Sequence, residues 1–153
     1  MAVDRPNLTG GCQCGAVRYA LKATPTGPSI CHCRMCQRAG GAPFMAFTGV
    51  RAENLAFTRG GPAIYRSSEI AERGFCAECG TPLTYRMLGR NRISVTIGSL
   101  DHPAEVEPRE QLGVESALPW FRSLAALPAS RTEDWLRRMK IERVGSRQHP
   151  DGD

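Results

Sequence analysis

The sequence predicts a mainly β domain of short antiparallel strands, followed by one short C-terminal helix. Short apolar runs recur along the chain, and glycine, proline and polar residues separate them in the manner of strands and turns. Seven cysteines fall into clusters with the spacing of metal ligands, which indicates that metal helps to hold the strands together. A chain of 153 residues is long enough for one domain with its own core. We expect the β domain to occupy residues 1–130 and the helix and a tail to occupy residues 131–153.

The strands are predicted by alternation of apolar side chains with small or polar ones. Val17, Tyr19 and Leu21 alternate in this way and predict the first strand. Further strands are predicted, in chain order, at residues 44–50, 63–67, 73–76, 83–86 and 93–97. A short helical turn is predicted at residues 34–39.

The helix is predicted from a capping signal near the C-terminus. Ser130 and Glu133 have the spacing of a capping box, with Ser130 as the N-cap. Apolar residues then recur at helical spacing from Trp135 to Met139. The sequence therefore predicts a helix over residues 132–142 and a disordered end over residues 149–153.

The charge of the chain limits its partners. The net charge is +5, with 20 basic and 15 acidic residues. Eighteen of the basic residues are arginine, whose planar fork suits carboxylates. They are scattered, so a solvated surface is favoured, and an anionic small molecule or a nucleic acid stays an alternative. Nucleic acid is the weaker of the two because aromatic residues make up only 7% of the chain and no basic block occurs.

The chain carries no evident targeting or membrane signal. No apolar run approaches the roughly 18 residues that a membrane-spanning helix needs. Asp4 and Arg5 are followed by no apolar segment, unlike the start of a secretory signal peptide. We therefore expect a cytoplasmic protein without a membrane partner.

The cysteines favour metal binding over disulfides. Disulfides are rare in reducing compartments, and an odd number cannot pair completely within one chain. Their spacing is C-x-C, C-x-C-x-x-C and C-x-x-C, which is typical of zinc ligands. We call them the first pair (Cys12 and Cys14), the triplet (Cys31, Cys33 and Cys36) and the second pair (Cys76 and Cys79).

The spacing divides the seven ligands into four and three. The second pair is followed by Gly80 and has the form of a zinc knuckle, which supplies two ligands and needs two more. The first pair is flanked by glycines and is the natural partner, so the two pairs together predict one closed tetrahedral site. The alternative is that the second pair joins two cysteines of the triplet, which would leave the other cysteines without a metal.

The triplet predicts a second zinc with an open coordination position. Three ligands from one short segment leave the fourth place to solvent, a substrate or a distant residue, and an open place is where zinc does chemistry. A closed structural site with a distant ligand is the alternative. His32 is expected to point away from the metal, because it lies between two ligand cysteines. His102 could reach the open position across space, but a histidine in a loop is more often plain surface. We expect His149, in the tail, to be inert.

Three ordered motifs resemble those of the glutathione-dependent formaldehyde-activating enzyme family. The first is Gly-Cys-Gln-Cys-Gly-Ala-Val-Arg-Tyr at residues 11–19. The second is Cys-His-Cys-Arg-Met-Cys-Gln-Arg at residues 31–38, followed by Gly-Ala-Pro-Phe at 41–44. The third is Arg-Gly-Phe-Cys-Ala-Glu-Cys-Gly-Thr-Pro-Leu at residues 73–83, and Leu-Pro-Trp-Phe at 118–121 looks like a late element of the same family.

This resemblance implies a zinc-bound β-tent fold and an enzyme. It implies that the two pairs hold a structural zinc and that Cys31, Cys33 and Cys36 hold a catalytic zinc. The implied reaction is that of a carbon–sulfur lyase, in which glutathione binds the open position through its thiol and adds to formaldehyde. Glutathione carries two carboxylates, and Arg38 is the arginine expected to bind one of them. Phe44 and Trp120 are expected to form walls of the site.

Two other functions stay open at this point. In the first, both zinc ions are structural and the protein is a binding module for nucleic acid or protein. In the second, the triplet is a thiol redox or metal-buffering centre, whose thiol pKa values are lowered by Arg34 and Arg38.

Overall fold

The computed structural model describes residues 8–152. Residues 1–6, whose composition argued against a signal peptide, lie outside this range. The α-helices are α1 (Arg34–Gly40) and α2 (Thr132–Arg138). The strands are β1 (Leu8–Gly11), β2 (Arg18–Leu21), β3 (Thr26–Cys31), β4 (Met45–Val50), β5 (Leu55–Arg59), β6 (Ala63–Arg66), β7 (Ala71–Phe75), β8 (Pro82–Met87), β9 (Ile93–Thr96) and β10 (Glu110–Leu112).

The strands form two sheets. The smaller sheet has the order β1-β2-β5, and the larger has the order β10-β3-β4-β9-β8-β7-β6. Neighbouring strands are antiparallel except for β10, which pairs in parallel with β3 and sets Leu112 beside Cys31. The predicted class, a mainly β fold of short antiparallel strands with a short C-terminal helix, is confirmed.

The core contains apolar side chains from both sheets. Tyr19 and Leu21 of the smaller sheet and Leu83 and Val95 of the larger sheet are fully buried and belong to one cluster. The alternation that predicted β2 therefore indicates its buried face correctly. A bridge between Gly10 and Leu100 also joins β1 to the segment that follows β9. Gly10 has no room for a side chain, because a Cβ there would lie 2.5 Å from the Tyr19 hydroxyl.

A buried ion pair ties β2 to the loop after β9. The Arg18 guanidinium donates two hydrogen bonds to the Asp101 carboxylate, at 2.8 and 2.7 Å. Thr9 donates a third, at 2.5 Å. Arg18 is 3% exposed although it alternates with the apolar residues of β2. The solvent side of this strand is therefore covered, and the charge is satisfied by a paired carboxylate.

The predicted strands are all present, with ends that differ by one or two residues. Four strands were missed: β1, β3, β5 and β10. β3 contains Gly27 and Pro28 and pairs with β4 through an irregular register, so its composition suggested a turn. β10 is short, polar and exposed at the sheet edge, where alternation is not required.

The C-terminal helix is shorter than predicted, and Ser130 does not cap it. The helix ends at Arg138 rather than at residue 142, because Lys140 takes a left-handed conformation with a φ of 56°. Arg131 is the N-cap residue, and the Glu133 carboxylate accepts a hydrogen bond from Arg131 instead of completing a capping box. The Ser130 hydroxyl accepts from Arg138. The division of the chain at residue 130 stays a prediction.

The C-terminal tail contacts the smaller sheet and the turn after β1, and the disordered end expected at residues 149–153 stays a prediction. The His149 backbone N–H donates to the Gln13 carbonyl at 2.7 Å, and its ring nitrogen Nε2 lies 3.3 Å from Arg59 Nη1. The His149 ring also covers Gly15, where an added Cβ would lie 2.2 Å from the ring. His149 is therefore a packing residue.

No helix within residues 8–152 is long and apolar enough to cross a membrane.

Candidate metal centres and the adjoining cavity

The first and second pairs of cysteines meet in space. Their four sulfur atoms all lie within 4.8 Å of one another. The sulfurs of Cys12 and Cys14 are 3.6 Å apart, and those of Cys14 and Cys76 are 3.8 Å apart. Tetrahedral zinc with bonds of about 2.3 Å places its sulfur ligands about 3.8 Å apart, so the donor set fits zinc. We call these residues the four-cysteine cluster.

Two tight turns build this cluster. The turn after β1 is closed by a hydrogen bond from the Gly15 N–H to the Cys12 carbonyl, and Gly15 takes a φ of 78° that favours glycine. The knuckle after β7 is closed by the Gly80 N–H on the Cys76 carbonyl. Because β1 and β7 belong to different sheets, a metal held here would join the two sheets.

Thr81 connects the two halves of the four-cysteine cluster. Its hydroxyl accepts from the Gln13 N–H at 3.0 Å and lies 3.2 Å from the Cys79 sulfur. Burial raises the pKa of the Cys79 thiol, but hydrogen bonds from the side chain and backbone of Thr81 outweigh it and hold that pKa at about 6. The hydrogen bonds from Thr81 therefore favour the thiolate form of Cys79, which is the form that binds metal.

The triplet is assembled by the end of β3 and the first turn of α1. Cys31 ends β3, Cys33 is the N-cap of α1, and Cys36 lies in its first turn. The three sulfurs lie within 4.8 Å of one another, and the Cys36 N–H donates to the Cys33 sulfur at 3.4 Å. Within residues 8–152, no fourth histidine, cysteine or carboxylate ligand joins this group. The arrangement can supply three thiolate ligands from one side.

Neighbouring segments fix the position of α1. Gln37 donates to the His32 carbonyl at 2.7 Å and to the Ser116 carbonyl at 2.9 Å. The loop after β10 presses on the triplet at Gly113, where a Cβ would lie 2.8 Å from the Cys33 nitrogen. Gly113 also has a φ of 64°, so both space and conformation require glycine there.

The triplet thiols do not all ionise alike. Burial raises the pKa of the Cys36 thiol to about 12, against the lowering effect of the Arg73 guanidinium. Burial also acts on Cys33, but the Cys36 N–H and the neighbouring thiols outweigh it and lower the Cys33 pKa. A divalent cation would favour all three thiolates, so metal binding should release protons.

Arg73 of β7 is a charged side chain that donates a hydrogen bond to a sulfur of the triplet. Its Nη2 lies 3.4 Å from the Cys36 sulfur, and its Nη1 lies 3.9 Å from the Met45 sulfur. The guanidinium carbon lies 5.0 Å from the centre of the Tyr85 ring, in a cation–π contact. Arg73 was not among the predicted site residues, although it begins the third motif.

A cavity of about 490 Å³ lies beside the triplet, a volume typical of small-ligand sites. Arg38 and Met35 of α1 line one side, and Tyr65 and Arg73 line another. None of the triplet cysteines lines the cavity, but Arg73, which does, lies 3.4 Å from the Cys36 sulfur. Its lining is mostly apolar, and Arg38 and Arg73 are the charged residues among the lining residues.

The three predicted substrate-binding residues lie in different places. Arg38 lines the 490 Å³ cavity and also a second hollow of about 280 Å³. Trp120 is 49% exposed and lines the second hollow. Phe44 packs edge-on against Phe121, with ring centres 5.4 Å apart, and lines neither of these cavities. Their roles in binding substrate stay predictions.

His32 and His102 are not among the candidate ligands. The His32 ring is fully buried beside Phe121, and its Nε2 lies 2.9 Å from the Gln111 amide oxygen. Its Nδ1 has no hydrogen-bond partner within the part of the chain that the structure describes. His102 is exposed and begins a 3-10 turn at Pro103–Glu105.

Comparisons with known proteins agree with these observations. The profile of the glutathione-dependent formaldehyde-activating enzyme family matches residues 7–116. An uncharacterised lyase of Schizosaccharomyces pombe is 38% identical over 82 residues, which are 52% of this chain and 58% of that protein. The chain thus spans little more than half the length of this relative. A crystal structure of a Rhodobacter sphaeroides protein superposes with a TM-score of 0.56 and 21% identity, over 68% of this chain and 99% of the other. That likeness shows the fold.

Proposed function

The chain belongs to the glutathione-dependent formaldehyde-activating enzyme family, and from this premise we propose that it is a zinc-dependent carbon–sulfur lyase. In the synthetic direction it joins a small thiol, with glutathione as the first candidate, to formaldehyde or a related small electrophile. The observation that carries the proposal is a three-thiolate group beside a cavity of about 490 Å³ that contains two arginines.

Thiolate ligands support a zinc ion at each cluster. Three thiolates leave one position of a tetrahedral ion open, and a bound zinc lowers the pKa of a thiol that takes this position. The four-cysteine cluster offers a complete ligand set and is assigned the structural role.

The cavity provides binding and orientation. Glutathione carries two carboxylates, and Arg38 offers its guanidinium group to one of them from the lining of the cavity. Apolar side chains such as Met35 and Met45 offer no strong hydrogen bonds to water inside the cavity. Holding the thiol and the aldehyde side by side replaces a collision of two solutes by a reaction between neighbours.

The reaction needs only one proton to move. The thiol loses its proton, its sulfur attacks the carbonyl carbon, and a carbon–sulfur bond forms. The electron pair of the carbonyl double bond passes to the oxygen, which takes up a proton to give the hydroxymethyl thioether. No oxidant or reductant is consumed.

The proposal is tested by titrating thiols into the cobalt-substituted protein and following its visible spectrum. Glutathione should change the spectrum, and S-methylglutathione, which keeps both carboxylates but lacks the thiol, should not. The zinc protein should also accelerate formation of the glutathione–formaldehyde adduct, followed by NMR with ¹³C-formaldehyde. An unchanged spectrum at millimolar glutathione, together with an uncatalysed rate, would exclude this function.

The role of Arg38 is tested with two thiols. Arg38→Met should raise KM for glutathione by about tenfold, the equivalent of one exposed charged contact. It should leave KM unchanged for cysteamine, a thiol without carboxylates. Equal effects on both thiols would assign Arg38 to folding or to the zinc site instead.

A further inference from the structure

We infer that Arg73 is a catalytic residue of this site, whose Nε–H binds the carbonyl oxygen of the electrophile. Through that hydrogen bond it stabilises the negative charge that develops on the oxygen as the carbon–sulfur bond forms. The inference rests on the proposed function and deepens it, because it names the group that receives the aldehyde oxygen.

The surrounding strands and side chains hold Arg73 rigidly. Its side chain is 8% exposed. On β7 it lies directly opposite Tyr65 of β6 and Tyr85 of β8, in the regular part of the larger sheet. The contacts to Cys36, Met45 and the Tyr85 ring restrain the guanidinium on three sides. A donor that is already oriented needs no reorganisation when charge develops in front of it.

Arg73 also has an unused hydrogen-bond donor. The Nε of Arg73 is buried and has no hydrogen-bond partner within residues 8–152. Buried polar groups are nearly always hydrogen-bonded, because leaving one unpaired costs free energy. No carboxylate in the described part of the chain forms an ion pair with Arg73. The unpaired Nε–H is therefore a position at which a ligand acceptor is missing.

The unused donor lies close to the triplet. Nη2 of the same planar guanidinium lies 3.4 Å from the Cys36 sulfur. Because Nε and Nη2 are bonded to the same carbon, the Nε–H lies in the neighbourhood of the three cysteines. Arg73 also lines the 490 Å³ cavity, through which a small aldehyde can approach.

The chemistry of arginine fits stabilisation rather than proton transfer. Its guanidinium keeps its proton throughout, since its ordinary pKa is above 12. It can therefore donate a hydrogen bond to the developing alkoxide and still carry its own proton when the reaction is complete. The proton that the oxygen finally takes up comes from the thiol or from solvent.

Arg73→Lys is the first test, because lysine keeps the positive charge and loses the Nε–H. We expect kcat/KM for the addition to fall by about 10²–10³-fold, mostly in kcat, as when one donor of an oxyanion hole is removed. Zinc content and the affinity for thiol, read from the cobalt spectrum, should stay unchanged. The matched control is Arg86→Lys on the neighbouring strand β8, where the side chain is 45% exposed and pairs with Glu72. An unchanged kcat in Arg73→Lys, or equal losses in both variants, would overturn the inference.

A second measurement uses the unmodified protein and does not depend on activity. Formate is a small planar probe whose oxygens can accept the Nε–H hydrogen bond. The Arg73 Nε–H resonance of the ¹⁵N-labelled zinc protein is assigned through its nuclear Overhauser contacts with the Tyr85 ring, and it should shift on titration with formate. It should shift more than the Nε–H of Arg86. No shift at any formate concentration at which the protein stays folded would overturn the inference, even if Arg73→Lys fails to fold.

The two measurements separate this inference from the proposed function. If the zinc protein adds no thiol to formaldehyde, the proposed function fails, and the assigned catalytic role fails with it. A formate shift in that case would show an acceptor site at Arg73 that serves another reaction. If addition occurs but formate does not shift Arg73, the proposed function stands and the role of Arg73 is rejected.

Discussion

Arg18 and Arg73 are both buried, and their positive charges are stabilised by different neighbours. Arg18 is 3% exposed and is neutralised by the Asp101 carboxylate through two hydrogen bonds. Arg73 is 8% exposed and faces sulfur atoms and an aromatic ring instead of a carboxylate. A fully paired charge contributes to the fold, whereas a charge with an unused donor is available to a ligand.

Asp101→Asn should destabilise the protein in a pH-dependent way. Hydrogen bonds from Arg18 lower the pKa of Asp101 to about 2, from an ordinary value of 3.8. The carboxylate therefore stabilises the fold above about pH 4, and this contribution is lost as the pH falls toward 2. At pH 7 the variant also leaves Arg18 buried without its carboxylate, so we expect a loss of about 3–5 kcal/mol in the free energy of unfolding.

The measurement is urea unfolding of the wild type and variant between pH 7 and pH 2. The matched control is Asp134→Asn, because Asp134 is 51% exposed in a surface pair with Arg137 and should cost no more than about 0.5 kcal/mol. A difference between wild type and Asp101→Asn that does not narrow toward pH 2 would contradict this account.

Gly113→Ala should weaken the metal site of the triplet. The added methyl group would lie 2.8 Å from the Cys33 nitrogen, so Cys33 or the loop must move. Misplacing a ligand or its support typically lowers metal affinity by about 10–100-fold. Chelator competition should show this loss for one zinc and leave the other zinc unchanged.

Gly89→Ala is the control for Gly113→Ala. Gly89 has a φ of 74°, similar to the 64° of Gly113, but a Cβ at Gly89 has no neighbour within 4 Å. Both substitutions carry the cost of a left-handed alanine, and only one disturbs the triplet. If the two variants lose zinc equally, the contact with Cys33 has no role.

At the scale of elements, the two cysteine clusters are supported differently. The four-cysteine cluster joins a turn of the smaller sheet to a knuckle of the larger sheet, so its metal would hold two layers together. The triplet comes from β3 and α1, which are adjacent along the chain and also held by Gln37. Removing one cysteine should therefore affect mainly stability at the four-cysteine cluster and mainly activity at the triplet.

Cys79→Ser should prevent folding, and Cys33→Ser should abolish activity with a modest loss of stability. A closed thiolate site contributes about 10–16 kcal/mol of apparent binding free energy, as much as the whole stability of a typical domain. The triplet is attached to β3 of the larger sheet, and the pairing of β3 with β4 and β10 does not depend on a metal. Circular dichroism, thermal unfolding and zinc content distinguish the two variants. Equal thermal destabilisation by both would contradict the division of labour.

The whole molecule brings its C-terminal tail back to the four-cysteine cluster. Residues Gln148 to Asp151 line a hollow of about 150 Å³ together with Cys12 and Thr81. The His149 N–H binds the Gln13 carbonyl between the first pair of cysteines. The tail thus covers one side of the cluster.

Deleting residues 148–153 should speed the release of zinc from the four-cysteine cluster to a chelator. The Cys33→Ser background isolates this zinc, because it removes the triplet site. Arg143→Ala is the control, since Arg143 is an exposed residue of the same tail. Release rates that are the same with and without the tail would show that it leaves the cluster equally accessible.

Much of the fold and the ligand groups could be predicted because they depend on neighbours in the chain. Alternation of Val17, Tyr19 and Leu21 reports one buried face, and the knuckle and the triplet are local patterns. The strand β3 was missed because Gly27 and Pro28 suggest a turn, and the sheet context overrides that local preference. The helix α2 was predicted to be too long, because the periodicity of apolar residues does not reveal the left-handed conformation of Lys140 that ends it.

The sequence by itself determined the mainly β class, the seven candidate ligands and their division into four and three. Tertiary structure alone decided that Arg73 meets Cys36, 37 residues away, and that Arg18 meets Asp101, 83 residues away. It also decided that the tail covers the first cysteine turn and that Gly113 presses on Cys33. The physical reason is that ligand spacing and alternation are set within a few residues, whereas these contacts depend on sheet order and register, which bring distant segments together.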